Sequence, residues 1–184
     1  GVVALDVYTV DPGGAGVLLA QLGDAATAAM SRPGFVSANL HRSKDGTRVA
    51  NYAQWRGAGD VEGTPYAVAH VERAGDGPFI VEGTSPLTLI VVFTCEPHEQ
   101  DELVQYLIGI AQEHSSNDGF ISCTIHRSVD GTHLAEYIQW RDQAALSAMA
   151  AKPSSQAHFA RVRPRTSSAM YDVIKTFEAP AGNA

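Results

Sequence analysis

The 184-residue chain is poor in cysteine, in charge and in long apolar runs. Its two cysteines, Cys95 and Cys123, form no CxxC pair. Both fall in segments patterned as strands, so they are expected to be buried free thiols, which fits a reducing, cytoplasmic setting. Charged residues make up 18%, the net charge is −7, and Lys and Arg nowhere gather in a block. That composition argues against a nucleic acid or an anionic membrane as partner. The longest apolar stretch, Leu87 to Phe93 with Thr88 inside it, is far too short to span a bilayer. No signal-peptide pattern or lipidation motif is read. No GxGxxG run and no metal-ligand spacing occurs, so neither a dinucleotide nor a metal site is expected.

What the chain does have is a repeat. Gly34 to Arg56 reads GFVSANLHRSKDGTRVANYAQWR, and Gly119 to Arg141 reads GFISCTIHRSVDGTHLAEYIQWR. Fourteen of the 23 positions are identical at a constant offset of 85. The alignment extends backward without a gap, placing Tyr8-Thr9-Val10-Asp11-Pro12 on Phe93-Thr94-Cys95-Glu96-Pro97. Two modules are therefore expected, residues 1–84 and 85–184. Units of that size bury little core alone, so docking of the two is the expected source of stability.

Each copy reads as strand, helix, hairpin, helix, strand. In the first, Val2 to Val10 is β-branched and ends at Pro12. Val17 to Met30 places Leu18, Leu19, Leu22, Ala25, Ala26 and Ala29 at helical spacing. Phe35 to Arg42 and Thr47 to Trp55 form a hairpin around Asp45-Gly46. A second helix is expected from Thr64-Pro65, with Thr as N-cap and Pro as first residue, then a short strand over Phe79 to Glu82. In the second copy, Leu87 to Cys95, Asp101 to His114, Phe120 to Arg127 and His133 to Trp140 repeat the order. Helical segments over Gln143 to Ala151 and on to Arg161 follow, and Ala169 to Phe177 closes the chain. This is βαββαβ twice, an α+β ferredoxin-like pair. The short junction Gly83-Thr84-Ser85-Pro86 suits two docked sheets, an intramolecular dimeric α+β barrel.

Side chains alternate across a strand, so hairpin register decides which residues share a face. A three-residue Lys44-Asp45-Gly46 loop would set His41 opposite Val49, Asn39 opposite Asn51 and Phe35 opposite Trp55. A two-residue Asp-Gly turn would instead move His41 to the face of Ala50 and Tyr52. The first register is preferred. It gathers Phe35, Ser37, Asn39, His41, Asn51 and Trp55 on one mixed face, as an organic-ligand pocket is lined. In the second copy the same face carries Phe120, Ser122, Thr124, His126, Glu136 and Trp140.

The run His41…Asn51-Tyr52-Ala53-Gln54-Trp55 resembles the antibiotic biosynthesis monooxygenase family. It is most similar to the cofactor-independent oxygenases that convert polyketide anthrones to quinones. The resemblance covers both halves, as a tandem fusion. It implies O₂ as co-substrate, no flavin or metal, and a polycyclic aromatic polyketide as small-molecule substrate. It also implies catalytic roles for Asn51, Trp55 and His41. Asn51 would donate to a developing enolate oxygen, Trp55 would provide a stacking wall, and His41 would move a proton. Asn39, Phe35, Ser37, Glu136, Trp140 and His126 would contact substrate, Trp140 also filling core. Asn51 is replaced by Glu136 in the second copy. An ionised carboxylate cannot donate, so the working cleft is expected in the N-terminal half. Three other readings stay open: a heme-degrading enzyme, a non-oxidative cyclase or isomerase, and a non-catalytic binder of aromatics. Heme-degrading relatives carry an axial His on the second helix, where His70 and His158 are expected here. Further pairing of two such chains is also left open.

Overall fold

The computed structural model describes residues 1–11, 13–57, 61, 63–74 and 80–180. Pro12, expected to break the first strand, and Phe79, expected to open a strand, lie outside them. The elements are β1 (Val2–Thr9), α1 (Ala15–Ala29), β2 (Phe35–Ser43), β3 (Arg48–Trp55), β4 (Pro65–Arg73), β5 (Gly83–Thr94), α2 (Gln100–Ser115), β6 (Phe120–Ser128), β7 (His133–Trp140), α3 (Gln143–Ala150), α4 (Pro153–Val162) and β8 (Thr166–Glu178). No helix among the described residues is long and apolar enough to cross a membrane.

The chain divides into two compact units that are not the two sequence halves. Gly1–Ala67, Ile80–Thr84 and the chain from Tyr171 onward make the first; Val68–Phe79 and Ser85–Met170 make the second. The chain passes from the first unit to the second at Thr84/Ser85, and a late segment of each copy belongs to the unit built mainly from the other. The last strand of each copy, β4 or β8, begins in one unit and ends in the other.

In the first unit the strand order is β4-β1-β3-β2-β8. β1 and β2 both run antiparallel to β3, and Val3 and Ala4 of β1 pair with Tyr66 and Pro65. The second unit repeats this as β8-β5-β7-β6-β4, with β5 and β6 antiparallel to β7. These are ferredoxin-like orders in the α+β class. The offset of 85 holds in three dimensions: Asp6 pairs with Asn51 as Val91 pairs with Glu136.

Among the described residues the first copy forms no second helix. The residues from Pro65 form strand β4, and His70 lies on it, 3.1 Å from Glu72, rather than on a helix. Proline is as acceptable at the start of a strand as at the start of a helix, and the alternation Tyr66, Val68, His70 favours the strand. Ile80, Val81 and Glu82 are not strand; β5 starts at Gly83. The second copy does form its extra helices. Asp142 caps α3 by accepting from Ala145 N at 2.8 Å, and Pro153 occupies the first turn of α4.

The hairpin register also differs from the preferred expectation. Asp45 Oδ1 accepts from Ser43 Oγ, Thr47 N and Thr47 Oγ1, and Arg48 N donates to Ser43 Oγ. Those bonds draw Thr47 into the turn. His41 consequently faces Ala50, Asn39 faces Tyr52, and Leu40 faces Asn51. A bulge between Phe35 and Ser37 then restores Phe35 opposite Trp55. The second copy carries the same turn on Asp130 and the same bulge between Phe120 and Ser122.

The core of the first unit joins α1 to the sheet through Ala26, Ala29, Phe35, Ala38, Leu40, Ala53, Trp55 and Phe177. That of the second joins α2, α3 and α4 to the sheet around Leu103, Leu107, Phe120, Ile125, Trp140 and Met149. Phe35 meets Trp55 edge to face at 5.2 Å, and Phe120 meets Trp140 the same way at 5.5 Å. Each such contact contributes about 1 kcal/mol beyond burial.

Candidate active site

Each unit has a cleft between sheet and helices, on the face that carries the Trp. In the first unit the sheet supplies Asp6, Tyr8, Phe35, Ala38, Asn51 and Trp55, with α1 opposite and a cavity of about 130 Å³. The Arg32 guanidinium lies 4.9 Å from the centre of the Trp55 ring. Asn51 Oδ1 is buried with no hydrogen-bond partner.

This cleft brings together Asn51, Trp55 and Phe35, but not His41, Asn39 or Ser37. Those three point to the opposite face of the sheet because of the one-residue register difference. There Ser37 Oγ donates to Gln54 Oε1 at 2.9 Å and Asn39 Nδ2 donates to the Tyr52 carbonyl at 3.3 Å. His41 is fully buried, and burial pushes its pKa down to about 4. His126 occupies the same place in the second copy, with Nδ1 3.2 Å from the Ala135 carbonyl and a pKa likewise lowered to about 4 by burial. Neither imidazole is among the residues lining these two clefts.

The cleft of the second unit is larger, about 340 Å³. Its floor is Phe93, Phe120, Cys123, Glu136, Ile138 and Trp140 on the sheet. Ile110, Ala111 and His114 of α2, Met149 of α3, and His158, Phe159 and Val162 of α4 form the roof. Trp140 is wholly buried, and its Nε1 has no hydrogen-bond partner. Glu136 is 4% exposed. Burial drives its pKa up to about 8, opposed only weakly by the Cys123 thiol, whose Sγ lies 3.9 Å from Oε1. The carboxyl is therefore mostly protonated at neutral pH.

At the roof, His158 Nδ1 lies 2.8 Å from the Tyr106 hydroxyl, and His114 Nε2 lies 3.4 Å from Ser155 Oγ. The two imidazoles stand edge to face at 6.1 Å. Burial, then the neighbouring His114 and Arg161, lower the His158 pKa to about 4. Burial likewise lowers that of His114. Both rings are neutral at pH 7. Among the described residues no three His, Cys, Asp or Glu side chains gather as a metal-ligand set.

The sequence reading gave this cleft second place and missed His114 as a lining residue. Two signals pointed to it. Gln143 to Ala151 is Ala-rich and helical, whereas Gly57, Gly59 and Gly63 crowd the corresponding stretch of the first copy. His114 and His158 sit on the inward faces of α2 and α4 beside Ala111 and Val162.

Comparison with known proteins finds no matching family model. Over 73 residues the chain is 40% identical to tetracenomycin-F1 monooxygenase of Streptomyces glaucescens, a match spanning 39% of this chain and 65% of that protein. Over that stretch the chain is similar to that monooxygenase. The match spans less than two thirds of that protein's length, 65%. Among solved structures, an anthrone oxidase-like protein superposes with a TM-score of 0.77 over 97% of this chain and 93% of its own, at 22% identity. A ferredoxin-fold protein related to antibiotic biosynthesis monooxygenases, from Listeria monocytogenes, gives 0.60 over 95% and 94%, at 13% identity. A heme-degrading enzyme from the same organism gives 0.58 over 94% and 99%, at 13% identity. At these identities the structures establish the fold alone.

Proposed function

We propose that the chain is a monooxygenase that oxidises a polycyclic aromatic polyketide of anthrone type to the quinone, with O₂ and without a bound cofactor. The observation that carries this reading is the cleft of the second unit. It is an aromatic-walled cavity in which Glu136 on the sheet and the His114–His158 pair on the helices stand on opposite walls. Organic-ligand pockets begin at about 300 Å³. The second cleft, at 340 Å³, reaches that size, and the first, at 130 Å³, does not. The partial sequence match to a polyketide monooxygenase supports the same class.

The chemistry needs little from the protein. An anthrone methylene loses a proton to solvent, and the electron pair enters the enolate. The enolate gives its electrons to O₂, a carbon–peroxide bond forms, the peroxide takes a proton back from solvent, and loss of water leaves the new carbonyl. One O₂ is consumed and one water released for each CH₂ converted to C=O. Trp140 and Phe120 supply flat walls that align the ring system, and closure between sheet and helices keeps the enolate from bulk water.

Oxygen uptake with 1,8-dihydroxyanthrone tests the reading. Wild type should consume O₂ stoichiometrically with quinone formation. Glu136→Ala should lose that activity and Asn51→Ala should retain it. Loss in Asn51→Ala alone returns the chemistry to the first cleft. Turnover of the substrate without oxygen points to a cyclase or isomerase. A stoichiometric Soret band with hemin, abolished by His158→Ala, points to heme degradation.

A further inference from the structure

We propose that Glu136 acts as a neutral carboxylic acid, donating the hydrogen bond to the substrate oxygen on which enolate charge develops. The inference rests on the functional reading above and gives one residue in that cleft its role.

Glu136 holds the position that Asn51 holds in the first unit. Each lies opposite an aliphatic residue of the hairpin, Leu40 for Asn51 and Ile125 for Glu136. Each lies four residues before the Trp of its cleft. The replacement of amide by carboxyl looks like loss of a donor only if the carboxyl is ionised. The surroundings oppose ionisation. Phe93, Ile138 and Trp140 share the cleft floor with it. Among the described residues no ion pair reaches Glu136, and its hydrogen-bonding contact is the weakly donating Cys123 thiol at 3.9 Å. A buried carboxylate with no cation and no strong donor is strongly disfavoured.

The other titratable groups do not change that. Cys123 on β6 is itself held protonated, its thiol pushed up first of all by burial. His114 and His158 on the roof are neutral, and Arg163 lies at the cleft edge without pairing with Glu136.

A protonated carboxyl has an O–H to give and a carbonyl oxygen to accept with. It donates as an amide does, but from one methylene further out, which suits the larger cavity. The proton stays on Glu136 throughout. The hydrogen bond strengthens as the substrate oxygen gains charge, the differential stabilisation that lowers a barrier. The ligand class follows: the group meeting Glu136 is a ketone or phenolic oxygen.

Infrared difference spectroscopy and oxygen uptake together test this. Wild type at pH 7 should show the stretching band of a protonated carboxyl, absent in Glu136→Gln and lost on titration through about pH 8. With 1,8-dihydroxyanthrone, Glu136→Ala should be slower by about 100-fold or more, the usual effect of removing such a donor. Glu136→Gln should recover to within about tenfold of wild type and lose the alkaline fall that wild type shows. An ionised Glu136 at pH 7 overturns the proposal whatever the activity. So does a folded Glu136→Gln as slow as Glu136→Ala. If wild type takes up no oxygen, the functional reading falls and the donor role with it, even if the band shows the acid to be neutral.

Discussion

The hydroxyl of Tyr106 on α2 lies 2.8 Å from Nδ1 of His158 on α4, and this contact joins two helices of the roof over the larger cleft. The Arg161 guanidinium sits 3.9 Å from the centre of the same Tyr ring. Tyr106 is thus held from above while its hydroxyl fixes the imidazole. Tyr106→Phe keeps the ring and the cation contact and removes only the hydrogen bond. Stability should fall by about 1 kcal/mol in urea unfolding. The ¹⁵N spectrum of His158 should change from one tautomer to a mixture. An unchanged spectrum would mean that another group orients the ring.

The buried imidazoles of His41 and His126 predict acid sensitivity. Both are neutral in the folded chain, with pKa values lowered to about 4 by burial. In the unfolded chain each returns to about 6.5. The unfolded state then binds more protons at pH values between the two, so stability is full above about 6.5 and declines as pH falls toward 4. Each contributes up to about 3 kcal/mol to that decline. Urea unfolding at pH 7 and pH 4.5 should show a smaller drop for His126→Gln than for wild type. Equal drops would remove His126 from the account.

The Asp45 and Asp130 turns predict a similar, milder effect. Each carboxylate accepts from a Ser hydroxyl, a Thr amide and a Thr hydroxyl, and these bonds lower its pKa to about 2. The stabilisation is present above the ordinary carboxylate pKa near 4 and is lost as pH falls through about 2. Because this turn also sets the hairpin register, Asp130→Ala should lower the melting temperature and loosen the anthrone KM. A variant that melts lower with an unaltered KM would separate the turn from the cleft.

Much of the architecture is legible in the sequence, because repetition and periodicity are local signals. The 85-residue offset, helices α1 to α4, both hairpins and the Trp of each cleft follow from spacing alone. What is not legible depends on single hydrogen bonds or on competition between equally permitted elements. Ser43 and Asp45 decide whether Thr47 joins the strand or the turn, and with it whether His41 shares the cleft face with Asn51. Thr64-Pro65 opens a helix or a strand with equal ease. The protonation of Glu136 depends on which side chains surround it in space, and no local pattern reports that.

Two glycines with one backbone conformation separate strain from crowding. Gly34 has φ +82° and Gly119 has φ +80°, left-handed values that side chains rarely adopt. A Cβ added at Gly34 would find no atom nearer than the Arg56 Cβ at 4.0 Å. One at Gly119 would stand 2.5 Å from the Ala145 Cβ on α3. Gly34→Ala should therefore cost only the conformational strain, about 1–2 kcal/mol. Gly119→Ala should cost about 1–3 kcal/mol more, because helix α3 has to shift. Met149 on that helix lines the larger cleft, so the second substitution should also raise the anthrone KM while the first does not. Equal losses of stability in urea unfolding would show that α3 yields without cost, and that the cleft wall it forms is softer than its packing implies.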